Sequence, residues 1–125
     1  MSAQWHWLQA MASEEVEDTL AALPAALLEK ARVVPVTYQP RPNPEQVEDG
    51  IEPDVLGLFV GSEYALEGVT LSPIPAQIIL FLENLWEFSE GDEEICREEV
   101  HTTYLHELGH YLGLDEEDLF ERGLD

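Results

Sequence analysis

The chain of 125 residues carries 27 acidic side chains against five basic ones, a formal net charge of −22. That balance argues against binding to nucleic acid or to anionic membranes, which both need Lys and Arg to meet phosphate. Apolar residues still make up 45%, with three Trp, four Phe and four Tyr, a composition that excludes a disordered acidic tail and predicts one folded domain.

Cys96 is the sole cysteine, so no intrachain disulfide is expected and a reducing compartment fits. The N-terminal residues lack a basic region followed by an apolar run, and no stretch approaches the roughly 18 apolar residues of a membrane span. The expectation is a cytoplasmic protein.

Trp5, Leu8 and Met11–Ala12 have helical spacing. Residues 1–12 either extend the first helix or form a loose arm ahead of a single domain over 13–125. Ser13 before Glu14-Glu15 reads as an N-cap with acids in the first turn. Val16, Leu20, Leu23 and Leu27 continue a helical stripe, and Pro24 starts a second short helix at its first turn. Residues 32–38 are β-branched and aromatic, and Pro35 makes them an edge strand. Residues 39–54, with four prolines, are a loop with one helical turn at Pro44–Glu48. Residues 55–60 form a second strand ended by Gly61. A loop follows over 61–75, then a third strand over Gln77–Leu82.

From Gly91 onward Ile95, Val100, Tyr104, Leu105, Leu108 and Leu112 fall at helical spacing, and Gly113 sits where a helix would stop. This predicts a helix over roughly 92–112. Asp115 reads as the N-cap of a last short helix reaching Glu121. Helices and short strands do not alternate regularly, so the expected class is α+β.

The long helix carries His106-Glu107-Leu108-Gly109-His110. Residues four apart on a helix are neighbours, so two imidazoles can converge on one metal ion. Glu107, one position along, lies beside the pair and can take a proton from a metal-bound water. Zinc is the expected ion, with Glu107 as catalytic base. Catalytic zinc usually has three protein ligands and one open position. Glu116 stands where the longer H-E-x-x-H-x-x-G-x-x-H pattern has its third His. Asp115, Glu117 and Asp118 are competitors, because acids in a helix's first turn also complement its dipole.

Glu99 to Glu116 (E-V-H-T-T-Y-L-H-E-L-G-H-Y-L-G-L-D-E), with Leu56-Gly57-Leu58-Phe59-Val60-Gly61 and Ile78-Ile79-Leu80-Phe81, resembles the bacterial minimal zincins over about residues 13–122. These are short metallopeptidase-like proteins, commonly with Asp at the position of Glu116. The resemblance implies a small zincin-like domain, with a short twisted mixed sheet packed against the active-site helix. It also implies zinc-dependent hydrolysis of peptide bonds, with a peptide or protein segment as substrate.

Other residues have simpler readings. His101 lies about 140° around the helix from His106 and is expected in the core or at the surface. His6 fits a packed terminal aromatic cluster. Tyr104 and Tyr111 are core residues first and oxyanion donors second. Cys96 is expected to be buried. The Leu56–Val60 strand offers either an internal strand or an edge for an extended peptide. Two other functions compete: a non-catalytic metal-containing peptide-binding domain, and a metal-dependent endoribonuclease. The latter uses a third His, absent here, and the negative charge opposes it.

Overall fold

The computed structural model describes residues 2–61 and 76–113. The expected last helix from Asp115 and the candidate ligands Asp115, Glu116, Glu117 and Asp118 lie outside the described residues, as does most of the expected 61–75 loop.

The first helix, α1, runs unbroken over Ala3–Ala21, capped by Ser2, whose hydroxyl accepts the Trp5 N–H at 3.0 Å. It thus includes the stretch that the sequence left open as extension or arm, and Ser13 is not an N-cap. The reason is burial. Trp5, Leu8, Met11, Ala12, Val16 and Thr19 make one continuous buried stripe, so ending the helix at Ser13 would forfeit half of it. Glu14 and Glu15 serve Arg97 rather than a helix dipole. Pro24 is the N-cap of α2, Ala25–Ala31, one position earlier than expected.

Strand β1 spans Val36–Gln39, starting later than the expected residue 32. Val34 turns back to bond the Ala31 carbonyl, and Val33 is 69% exposed. Pro35, which has no N–H, ends that turn, and its carbonyl accepts the Ile78 N–H at 3.0 Å. Helix α3, Pro44–Glu48, opens with a capping box between Asn43 and Gln46. Strand β2 is Gly57–Val60 and strand β3 is Gln77–Phe81.

The sheet order is β1-β3-β2, with β1 parallel and β2 antiparallel to β3. It is a mixed sheet, and the architecture is α+β, as the sequence implied. In the centre, Ile78, Ile79, Leu80 and Phe81 are all buried. Each large apolar side chain so buried contributes about 1.5–3 kcal/mol, so β3 anchors both neighbours.

Helix α4, Leu82–Phe88, follows β3 directly. The sequence reading ended a strand at Leu82 and assigned nothing to residues 83–90, although Leu82, Leu85 and Trp86 have helical spacing. Asn84 on α4 is buried. Its amide donates to the Pro53 and Val55 carbonyls, each at 2.8 Å, and its oxygen accepts from Arg41 at 3.0 Å. This fixes the chain just ahead of β2.

The longest helix, α5, is Glu93–Leu112. Asp92 caps it, accepting the Ile95 N–H at 3.0 Å, and Gly113 ends it in the left-handed conformation with φ of +73°. Ile95, expected in its apolar stripe, is 45% exposed at the first turn. Cys96, Val100, Tyr104, Leu105 and Leu108 pack into the core with α1 and with Ile78 and Leu80 of β3. Arg97 binds Glu14 and Glu15, and one turn on His101 meets Thr19, so α1 and α5 run side by side in the same direction. Thr19 gives its proton to the Glu15 carbonyl at 2.7 Å and therefore accepts from His101 Nδ1, also at 2.7 Å. Among the described residues, no helix is long and apolar enough to cross a membrane.

The tightest joint is between β2 and α5. A Cβ on Gly57 would lie 2.6 Å from Thr103 Cγ2 and 3.4 Å from Glu107 Cγ. Thr103 is buried and β-branched and cannot yield. Gly57→Ala is therefore expected to cost about 1–3 kcal/mol through overpacking, read by urea denaturation. Asn84→Ala strips the donors from two carbonyls and should cost about 1–3 kcal/mol in the same assay. Unchanged midpoints would show that these contacts are not made.

Candidate metal centre

His106, Glu107 and His110 lie on the last two turns of α5. The helix presents both imidazoles to solvent and turns Glu107 inward, where it is 8% exposed. The two rings stand edge to face with centroids 4.9 Å apart. One nitrogen from each ring and one Glu107 oxygen all lie within 4.8 Å of one another. Two imidazole nitrogens at this spacing suit zinc, with a carboxylate close beside them.

Strand β2 lies against the site. Leu56 accepts the Phe81 N–H at 3.0 Å, so the alternate residues Gly57 and Phe59 turn their backbone groups away from β3. The Phe59 N–H donates to the Glu107 carboxylate. The Phe59 side chain faces Tyr111, with ring centroids 6.0 Å apart. Burial pushes the Glu107 carboxyl above the usual carboxylate range, and His110, His106 and the Phe59 N–H pull it back in part. A buried carboxylate facing two imidazoles and held by one amide is poised to exchange a proton. A cavity of about 400 Å³ opens against His106 and Glu107, walled by Val55–Gly57 on one side and by Glu99, Thr102 and Thr103 of α5 on the other.

Other sequence candidates fall elsewhere. His101 is engaged with Thr19, away from the pair. His6 is exposed rather than packed, whereas Trp5 is buried and Trp7 meets Trp86 edge to face at 5.4 Å. Tyr104 and Tyr111 are both buried in the core. The Tyr104 hydroxyl has no partner among the described residues, and burial raises its pKa well above the usual phenol value. Cys96 is buried, and its thiol is pushed up by that burial, the opposite of an activated nucleophile. Within the described sheet β2 is an edge strand and not an internal one.

Two contributors were missed in the sequence. Phe59 acts through its backbone N–H, which no side-chain pattern records. Asn84 could have been noticed as a polar residue among Leu82, Leu85 and Trp86 at helical spacing.

No curated protein matches the chain closely enough to be called a relative. A family model described as zincin-like metallopeptidase matches residues 31–124, which include β1–β3, the whole of α5 and the His-Glu-His group. The chain belongs to the zincin-like metallopeptidase family.

Proposed function

We propose that the protein is a zinc-dependent peptidase in which His106 and His110 hold the metal and Glu107 is the catalytic base. The observation that carries this reading is the divided setting of three adjacent donors. The two imidazoles are exposed, His106 at the cavity, whereas Glu107 is buried and bound to the Phe59 N–H. A carboxylate so held is suited to proton transfer beside the metal rather than to ligation. We assign the third ligand to Glu116, three residues beyond Gly113, where the left-handed cap allows the chain to turn back.

Zinc bound there would supply Lewis acidity and a water of lowered pKa. Glu107 takes a proton from the attacking water as its oxygen bonds to the carbonyl carbon. It then gives that proton to the leaving nitrogen as the C–N bond breaks. Among the described residues the outer edge of β2 has no strand partner, and the backbone groups of Gly57 with the carbonyl of Phe59 suit an extended peptide lying across the site. Among the described residues no Lys or Arg lines the adjoining cavity, which favours a peptide over RNA.

Zinc content of dialysed protein tests the site. The expected result is about one zinc per chain, retained in Glu107→Gln and lost in His106→Ala. Peptide hydrolysis should fall about 10²–10⁴-fold in Glu107→Gln. Equal metal content in the intact protein and His106→Ala would remove the foundation of the reading. Glu116→Ala should weaken zinc binding at least tenfold, followed by competition with a chelating dye. Unchanged affinity would send the ligand role to Asp115, Glu117 or Asp118.

A further inference from the structure

The cavity beside the histidine pair contains one carboxylate that the proposed chemistry does not use. Glu99 is half-buried in its wall. It lies seven residues before His106, so it shares that face of α5 two turns back, about 10.5 Å along the axis. Val55, Leu56 and Gly57 line the opposite wall, with Thr102 and Thr103 between Glu99 and the histidines.

Nothing described neutralises Glu99. Among the described residues its carboxylate has no ion pair and no hydrogen bond. Nearby cations are committed elsewhere: Arg97 to Glu14, Glu15 and Glu93, and Arg41 to Glu83, Asn84 and Glu87. A second cavity shares Thr102 with the first, and its walls add Glu15, Glu94 and Glu98 but no cation except that engaged Arg97. Carboxylates thus outnumber cations among the described residues of this face.

We propose that this cavity is a specificity pocket in which Glu99 receives the side chain of a Lys or Arg next to the scissile bond. The pocket rests on the peptidase reading for its place in catalysis. Its dimensions suit such a guest. Adjacent Cα atoms are about 3.8 Å apart, and a lysine side chain reaches roughly 6 Å further on its four-carbon stem. The sum, about 10 Å, matches the two-turn rise along α5 between Glu99 and His106. The stem would lie along Val55 and Leu56 while the charged head meets the carboxylate. A hydrogen bond to a charged group at this depth corresponds to about 10–100-fold in affinity.

The net charge of the chain would attract any cationic peptide, so the test must separate the pocket from the bulk field. Short peptides, uncharged apart from a central residue that is Ala, Lys or Glu, would be titrated into the zinc-loaded Glu107→Gln protein at about 0.15 M salt, where exposed charges are screened beyond roughly 8 Å. The Lys peptide should bind about tenfold tighter than the Ala peptide, and the Glu peptide weaker than both. Adding Glu99→Gln should abolish this preference. Adding Glu98→Gln, which removes the same charge one position away and outside this cavity, should leave it intact.

Equal binding of the Lys and Ala peptides would overturn the proposal, as would an equal loss in the two variants. A mixed peptide library digested by the wild-type protein gives the independent check. Cuts beside Lys or Arg support the pocket. Cuts with no basic preference overturn it and leave the peptidase standing. Glu99-dependent binding without any cleavage supports the cation pocket and sinks the peptidase reading instead.

Discussion

The structure turns on one buried carboxylate. Glu107 is enclosed between α5 and the edge strand β2, and a charge taken out of water must be hydrogen-bonded or paired to remain ionised. The Phe59 N–H and the two flanking imidazoles meet that need in part. They can do so only if β2 lies almost against the helix, which requires that residue 57 have no side chain. The close approach, the backbone donor and the inward turn of Glu107 are therefore one constraint seen from three elements.

The remainder of the fold holds that joint in place. The fully buried β3 fixes β2 in register on one side and β1 on the other. Asn84 pins the chain entering β2 to α4, and Arg41 pins Asn84 in turn. On its far side α5 is clamped to α1 through Arg97 with Glu14 and Glu15, and through His101 with Thr19. Of those ion pairs Arg97–Glu14 is the more exposed and Arg97–Glu15 is partly buried, and exposed pairs are individually worth little. Their value is in orientation, since they set which face of α5 meets the sheet and which meets solvent.

Much of the site was legible in the sequence because its logic is local. His106, Glu107 and His110 are within two turns of one helix, so periodicity alone places their side chains, and Asp92 and Gly113 mark its ends. What depended on distant parts of the chain was harder to read. Ser13 has good cap chemistry, but the stripe from Trp5 to Val16 outweighs it and carries α1 through. Leu82 continues an apolar run and reads as strand, yet the chain turns into α4 there because Leu82 and Leu85 both find the core. The parallel pairing of β1 with β3, and the Phe59 amide facing Glu107, arise from tertiary packing and leave no mark on residue spacing. Glu116 is assigned from its spacing after His110, from the Gly113 cap and from the resemblance of the motif.

The most direct test of the central claim is X-ray absorption at the zinc edge on the metal-loaded protein, beside its Glu107→Gln variant. Two imidazole nitrogens at about 2.0–2.1 Å with the remaining ligands oxygen, unchanged in the variant, would establish that the histidine pair binds the ion while Glu107 stands off it. A spectrum without imidazole scattering, or one that loses a ligand in Glu107→Gln, would contradict the account.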